Sequence, residues 1–348
     1  MNYVQQPFDL GLDTFGDITA GPDGRPHTHA QVIRDVIEQG VLADQVGVDV
    51  IGLGEHHRPD FAVSTPDIVL AAIAGRTTRI RLGSSVTVLG SDDPVRVFQR
   101  FSTLDAASSG RAEVILGRGS FYESFPLFGY DIDQRAALFE DKLDLFAALL
   151  TQERVTWHGK TRSALVDQRV YPPIENGRLK TWIGVGVSQE SVVRAARYGL
   201  PLMLAIIGGD AQRFRPFVDL YHKTLEELGQ PRLPIGVHSH GYVADTDERA
   251  RDELWPDYKA MRDRLGADRG WTPMTRSDFD READQGAIYV GSPETVARRI
   301  AVTAKALALS HFRIKYSAGH LAHDKIMRNI ELYGRRVMPL VRDMASSA

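Results

Sequence analysis

A carboxylate and two imidazoles stand side by side in the sequence, at Glu55, His56 and His57. They follow residues 48–53, an apolar run of β-forming residues without helical periodicity, and Pro59 prevents simple continuation of that strand. Imidazoles can transfer protons near neutral pH, and parallel α/β folds gather such groups at the carboxyl ends of strands. We therefore predict that His56 and His57 are catalytic. The alternative is a capped surface turn with exposed histidines.

Two glycine-rich turns have the composition of anion-binding sites. Arg118 lies between Gly117 and Gly119 directly after a predicted strand, where glycines let an anion approach the backbone and a guanidinium offers several donors. The second turn, residues 184–188, ends at Ser188, the predicted N-cap of a helix whose free N–H groups can also bind anions. Together the turns could hold one phosphate from two sides. The alternatives are packing glycines, a simple helix cap and a salt-bridged arginine.

Other histidines and aromatic residues give weaker indications. His27 and His29 could bind a metal as a pair, but they lie in a Gly/Pro loop, which argues against this role. His238 and His240 share one face of a predicted strand without a carboxylate or cysteine set to complete a tetrahedral site, so we predict interior histidines and no metal site. Five aromatic residues could wall an apolar pocket or pack in the core: Phe121, Tyr122, Phe125, Phe128 and Tyr130.

The composition is that of an ordinary globular chain of 348 residues, 43% hydrophobic and 25% charged. Its formal net charge is −3, without a long block of one sign, so we expect no nucleic-acid partner and no membrane surface. We find no targeting segment and no apolar run long enough to span a bilayer, and we expect a cytoplasmic protein. The absence of cysteine excludes disulfides, thiolate metal sites and cysteine nucleophiles.

Short apolar runs alternate with amphipathic stretches along the chain, which indicates repeated strand–helix units. Thr65-Pro66, Asp93-Pro94 and Ser292-Pro293 mark helix starts, each with a capping residue before proline. Eight such strands predict an α/β fold, a (β/α)8 barrel of the TIM type. The alternative, a doubly wound open sheet, would show a Gly-rich fingerprint after its first strand, which residues 13–16 lack. The predicted strands cover residues 8–15, 48–53, 80–89, 112–116, 181–186, 202–207, 235–243 and 311–317.

Two stretches interrupt the alternation, and we predict that they are insertions within a single domain over residues 1–348. Residues 151–178, after the fourth strand and its helix, lose the periodicity and contain turn sequences. Residues 266–286, after the seventh strand and its helix, are polar and rich in Asp and Arg, which predicts a mobile loop. A barrel core of roughly 250 residues leaves about 100 for these insertions.

Several motifs resemble those of the bacterial luciferase-like flavin-dependent monooxygenases. The resemblance covers residues 8–207; beyond them it rests on the strand–helix rhythm and on residues 291–296. It implies a TIM-type barrel that binds reduced FMN and uses it with dioxygen to oxygenate a small organic substrate. The motifs are residues 55–57, 81–89, 93–96, 104–105, 109–111, 117–119 and 198–201.

The resemblance also implies roles for individual residues. His56 stands where the family keeps its catalytic histidine, with His57 beside it. Ser85 and Val86 match a dipeptide that lies against the flavin ring, often through a cis peptide, and Arg118 matches a phosphate ligand. The residues expected at the cofactor are Ser85, Val86, Arg118, Gly119, Gly186, Val187, Ser188 and Ser191.

We therefore predict an FMN-dependent monooxygenase. It would take reduced FMN from a separate reductase, because the chain shows no nicotinamide fingerprint. The alternatives are a deazaflavin-dependent oxidoreductase of the same fold and a flavin-binding protein without turnover. We expect residues 266–286 to close over the bound flavin, and His56 to titrate near neutral pH. The resemblance also implies a homodimer, in which Ala71, Ala72 and Ala74 would allow close helix approach.

Overall fold

The strands of the protein form a closed parallel ring. The computed structural model describes residues 8–175, 177–267 and 269–346. In chain order its strands are β1 (Asp9–Thr14), β2 (Val50–Leu53), β3 (Arg81–Ser84), β4 (Thr87–Val88), β5 (Ala112–Gly117), β6 (Val155–Trp157), β7 (Leu165–Gln168), β8 (Lys180–Val185), β9 (Leu202–Ala205), β10 (Ile235–Val243), β11 (Ile288–Gly291) and β12 (His311–Lys315). The ring runs β1–β2–β3–β5–β8–β9–β10–β12 and closes on β1. The predicted (β/α)8 barrel is confirmed.

Helices surround the ring. The capping residues predicted from the sequence act at two of the three marked starts: Asp93 accepts hydrogen bonds from the N–H groups of Val95 and Arg96, and Ser292 caps its helix. Thr65 makes no such bond. Among the described residues, no helix has the length and apolarity needed to cross a membrane. The helices are α1 (His29–Gln45), α2 (Pro66–Ala74), α3 (Pro94–Ala107), α4 (Ser124–Leu127), α5 (Arg135–Thr151), α6 (Gln189–Arg197), α7 (Arg215–Glu227), α8 (Asp247–Ala267), α9 (Arg276–Gln285), α10 (Pro293–Leu307), α11 (His323–Leu332) and α12 (Met338–Ser346).

Alternation along the strands separates an apolar layer from a charged interior. On β1, Leu10 and Leu12 are fully buried in the apolar cluster shared with the helices, whereas Asp13 points into the ring. Arg313 of β12 is ion-paired with Glu113 of β5, and both are almost completely buried. Because β12 and β5 are not neighbours in the ring, this contact crosses the interior. An ion-paired layer therefore fills part of the barrel.

Two predicted boundaries differ from the structure. The strand predicted over residues 80–89 consists of β3 and β4, separated by Ser85 and Val86, whose peptide bond is cis. The stretch over residues 151–178 contains β6 and β7, an antiparallel hairpin outside the ring.

The prediction of a mobile loop over residues 266–286 is wrong for its second half, which forms α9. Thr275 and Asp278 cap the start of this helix reciprocally, and its Phe279 side chain is fully buried. The helix leads into β11, which was not predicted. β11 pairs with the outer half of β10, beyond the part of β10 that pairs with β9.

Candidate active site

The carboxyl ends of the ring strands surround a cavity of about 780 Å³. All ten site residues predicted from the sequence lie on its wall. Their convergence from four separate strand ends is the arrangement expected of an active site in this fold, while the role of each remains a prediction. These residues are His56, His57, Ser85, Val86, Arg118, Gly119, Gly186, Val187, Ser188 and Ser191.

The ring of His56 is held by aromatic contacts. The centroids of Phe15, Phe61 and Phe121 lie 4.3, 4.7 and 4.9 Å from the centroid of its imidazole. Within the described residues, this imidazole makes no hydrogen bond, so its nitrogens are available to a molecule in the cavity.

The charge state of His56 differs from the prediction. Burial lowers the pKa of His56 to about 3, and the positive charges of Lys315, His57 and Arg58 act in the same direction. The expectation that His56 titrates near neutral pH is therefore wrong for the ligand-free protein. His56 is a neutral imidazole, able to accept a proton or to donate one hydrogen bond.

Glu55 orients His57 and leaves His56 free. Its Oε1 is hydrogen-bonded to Nε2 of His57 at 3.0 Å, and its Oε2 accepts a hydrogen bond from the N–H of Val88 at 2.9 Å. The ring of Phe128 lies edge-on to His57 at 5.2 Å. Strand alternation alone could not show which histidine Glu55 contacts.

A buried carboxylate links two parts of the wall. Asp13 Oδ2 accepts hydrogen bonds from Ser85 Oγ at 2.8 Å and from His238 Nδ1 at 2.6 Å. Burial alone would raise the pKa of Asp13, but the contacts with His238 and the charge of Arg313 hold it below its usual range. Asp13 is therefore ionised, and it fixes both His238 and the residue before the cis peptide bond. The sequence analysis did not identify this link, because 225 residues separate Asp13 from His238.

One end of the cavity, the anion end, is formed by Arg118, Ser188 and Ser191. It joins the ends of β5 and β8, which are neighbours in the ring. Ser188 caps α6, accepting hydrogen bonds from the backbone N–H of Ser191 at 3.3 Å and from its hydroxyl at 3.2 Å. Arg194, which the sequence analysis missed, donates to Ser191 Oγ at 3.4 Å. Guanidinium, hydroxyl and backbone N–H groups therefore lie together at this end of the cavity.

Arg118 has neither an ion pair nor a hydrogen bond within the part of the chain that the structure describes. Partial burial lowers its pKa, and the charges of Arg194 and Arg135 lower it further. A buried Nε of Arg194 also lacks a hydrogen-bond partner. Such a group of cations at a helix N-terminus fits a phosphate.

A second region, the apolar end, comes from α8 and the segment after it. Its members are Tyr258, Met261, Leu265, Trp271 and Met274. Of the five aromatic residues predicted as a possible pocket wall, only Phe121 lies on the cavity. Phe125 packs in a small separate core, and the side chains of Tyr122 and Phe128 are exposed. The apolar wall is thus supplied mainly by a part of the sequence that the motif analysis did not assign to the site.

The segment after α8 also reaches the turn after β5. Arg269 donates a hydrogen bond to the carbonyl oxygen of Ser120 at 2.8 Å, and its guanidinium lies 5.3 Å from the ring centres of both Phe121 and Trp271. This contact joins two sides of the cavity mouth. Closure of residues 266–286 over a bound flavin remains a prediction.

His27 belongs to a local contact and lies apart from the cavity wall. Its Nδ1 is 2.9 Å from Asp35 Oδ2 at the start of α1. In the described part of the chain, no three His, Cys, Asp or Glu side chains are grouped as metal ligands would be.

Proteins from several bacteria are similar to this chain in sequence. The uncharacterized protein y4vJ of Sinorhizobium fredii is 27% identical over 93% of this chain and 96% of its own length. The alkanal monooxygenase alpha chain of Photobacterium leiognathi is 26% identical over 91% of this chain and 95% of its own length.

Solved structures have the same fold. Monooxygenase RslO1 from Streptomyces bottropensis superimposes with a TM-score of 0.82 at 21% identity, covering 95% of this chain and 99% of its own. The oxygenating constituent of 3,6-diketocamphane monooxygenase of Pseudomonas putida, in complex with FMN, gives 0.76 at 18% identity, covering 96% and 99%. An F420-dependent secondary alcohol dehydrogenase gives 0.75 at 16% identity, covering 97% and 100%.

The sequence model of the luciferase-like monooxygenase family matches residues 16–310, which is most of the chain. This match includes the strand end with His56, the cis peptide at Ser85 and the anion end. The chain belongs to the luciferase-like monooxygenase family.

Proposed function

We propose that the protein is an FMN-dependent monooxygenase that uses reduced flavin and dioxygen to oxygenate a small organic substrate. The observation that carries this proposal is the anion end, where Arg118, without an ion pair among the described residues, lines the same cavity as the capped start of α6. The same cavity continues from there to Ser85, Val86 and His56, so one wall could hold both a phosphate and a flat ring. The family to which the chain belongs supports this reading.

In this proposal the residues of the protein would bind the flavin, orient its ring and shield it from water. Arg118 and the first turn of α6 would hold the phosphate, while Ser85 and Val86 would lie against the ring. Reduced FMN, when bound, supplies the electrons that activate dioxygen. The aromatic side chains of Phe15, Phe61 and Phe121 would keep water away from His56. Neutral His56 would accept a proton or hydrogen-bond an oxygen atom beside the flavin.

The first test compares FMN with riboflavin, which lacks the phosphate. Arg118→Ala should weaken FMN binding by about 10- to 150-fold, because charge-assisted hydrogen bonds contribute about 1.5–3 kcal/mol, and should leave riboflavin binding nearly unchanged. Calorimetric titration of both ligands measures this difference.

Arg135→Ala is the matched control, because Arg135 lies near Arg118 but outside the cavity wall. Its removal should weaken FMN binding only slightly. Equal weakening of FMN and riboflavin by Arg118→Ala would place Arg118 away from the phosphate and contradict the proposal.

The alternative function is that of a deazaflavin-dependent oxidoreductase. It is favoured by the similar fold of the F420-dependent alcohol dehydrogenase. Titration with F420 beside FMN separates the two: a monooxygenase should prefer FMN and consume dioxygen with reduced FMN, whereas the alternative requires preference for F420 and turnover without dioxygen. The proposal also includes a separate flavin reductase as the source of reduced FMN.

A further inference from the structure

The apolar end contains two polar groups that lack partners. Tyr258 is 5% exposed, and its ring lies edge-on to that of His240, with centroids 5.4 Å apart. Both residues line the cavity. Within the described residues, neither the Tyr258 hydroxyl nor the His240 ring makes a hydrogen bond.

Four of the other buried tyrosines have partners, whereas the hydroxyl of a fifth, Tyr333, has none among the described residues and lies away from the cavity. The Tyr221 hydroxyl is hydrogen-bonded to a backbone carbonyl and that of Tyr242 to a glutamate. The Tyr289 hydroxyl is hydrogen-bonded to a threonine and that of Tyr316 to a glutamine. Buried polar groups are normally satisfied in this way, because an unpaired one costs about 1–3 kcal/mol. Because Tyr258, unlike Tyr333, lies on the cavity wall, a molecule in the cavity can supply the partner of its hydroxyl.

The Tyr258–His240 pair lies apart from the part of the wall proposed to face the flavin. His240 follows His238 by two residues on β10, so the two rings share one face and His240 lies nearer the mouth. The same cavity wall includes the thioethers of Met261 and Met274 and the indole of Trp271. A molecule bound here would contact an apolar wall and two hydrogen-bonding groups.

Both groups are uncharged at neutral pH. Burial lowers the pKa of His240 well below its usual value, with Lys315 and His238 contributing, and burial raises the pKa of Tyr258. Lys315 is itself held by Asp17, with Nζ 2.8 and 3.0 Å from the carboxylate oxygens. A buried carboxylate on a ligand would lose its hydration here without gaining a free cation.

The cations at the rim are engaged elsewhere. Arg262 donates to the carbonyl oxygen of Thr272 at 2.6 Å and lies over Trp271. Arg269 is held by Ser120 and by the same indole. An uncharged oxygen therefore suits this region better than an anion.

We propose that Tyr258 and His240 form the substrate-recognition site, which takes an uncharged, largely apolar molecule carrying one carbonyl or hydroxyl oxygen. The molecule would place its apolar body against Met261, Trp271 and Met274 and its oxygen between the two polar groups. That it is then oxygenated rests on the proposed function; the recognition itself does not.

Three probes that share the naphthalene ring test the proposal: 2-acetylnaphthalene as the neutral ketone, unsubstituted naphthalene, and 2-naphthoate as the anion. Calorimetric titration of the FMN-loaded protein at pH 7 should show the ketone binding about 3- to 10-fold tighter than naphthalene, the gain of one neutral hydrogen bond, and the anion binding weakest. Tyr258→Phe should remove the ketone's advantage and leave naphthalene binding unchanged. Tyr122→Phe, a change to an exposed tyrosine outside the cavity, should have no effect.

Three results would overturn the proposal: equal losses for ketone and naphthalene in Tyr258→Phe, tightest binding of the anion, or displacement of the ketone by FMN. The same titrations without FMN keep the two proposals distinguishable. If FMN fails to bind while the ketone still depends on Tyr258, the proposed function fails and the recognition site stands.

Discussion

His56 is partly buried and its pKa lies far below neutral pH, and this has a measurable effect on the stability of the protein. Its pKa is about 3 in the folded protein against an ordinary value of 6.5, so below pH 6.5 the unfolded chain binds a proton that the folded chain does not. Stability is therefore lost as pH falls below 6.5. At pH 5 the loss from this one residue should be about 2 kcal/mol.

We expect His56→Gln to remove that loss. Urea unfolding at pH 8 and pH 5 should show the variant gaining stability relative to the wild type by about 2 kcal/mol at the lower pH. His57→Gln serves as the comparison, because His57 is paired with Glu55. A constant difference between His56→Gln and wild type at both pH values would show that His56 titrates normally in the folded chain.

At the scale of single residues, local motifs predicted residues that the fold places on the cavity wall, while their roles stay predictions. Glu55, His56 and His57 share one strand end, and Gly117, Arg118 and Gly119 share one turn, so each group could be recognised from neighbouring residues in the sequence. The Tyr258–His240 pair and the Asp13–His238 bond join residues from different elements. Nothing local distinguishes Tyr258 from a core tyrosine until the fold shows its hydroxyl without a partner.

Among the elements, β5 and β12 are tied through the barrel by Glu113 and Arg313. Glu113→Gln would leave the buried Arg313 guanidinium with only the Asp13 carboxylate, 3.7 Å away, and should cost about 3 kcal/mol in the free energy of unfolding. Urea unfolding at pH 7 measures it. Glu38→Gln breaks an exposed pair with Arg76 and should change stability by less than about 1 kcal/mol.

The same pair predicts acid sensitivity. Burial would raise the pKa of Glu113, but the charges of Arg313 and Arg81 outweigh it and hold the pKa below its usual 4.5. The stabilisation is therefore fully present above about pH 4.5 and is lost as pH falls through the folded-state pKa. Glu113→Gln should flatten this part of the stability profile. If the slope of stability against pH is the same in Glu113→Gln and in the wild type, Glu113 is not the source of the acid sensitivity.

The ring strands could be predicted because short runs with buried apolar residues alternate along the chain with amphipathic helices. α9 was missed because it is short and polar, with Phe279 and Ala283 its buried residues. Its one local signal was the spacing of Thr275 and Asp278, which form the reciprocal cap. β11 was missed although Ile288, Tyr289 and Val290 are β-forming residues. Its place in the sheet could not be predicted, because it depends on the length of β10 beyond β9.

For the whole molecule, we propose a homodimer that uses the outer face of α2. Ile68 is 65% exposed there, and Ala71 and Ala72 are exposed beside it. Ala74, the third alanine of the prediction, is buried and faces the core. Small side chains around an exposed isoleucine would allow a second helix to approach closely.

We expect light scattering at micromolar concentration to give the mass of a dimer, and Ile68→Asp to give that of a monomer with unchanged circular dichroism. Val302→Asp places the same charge on an exposed valine of α10 and should leave the dimer intact. A wild-type monomer, or a dimer unaffected by Ile68→Asp, contradicts this interface.

The methionine sulfurs of the cavity wall can be oxidised, and this affects how the protein ages. The chain has no cysteine, and three of its seven methionines, Met203, Met261 and Met274, line the cavity. In the proposed oxygenation, an oxidant released into the cavity would encounter these thioethers, and their sulfoxides are polar where the wall had been apolar. Oxidation would then accumulate at the surface proposed to select the substrate, so the oxidised protein would lose substrate discrimination before it unfolded.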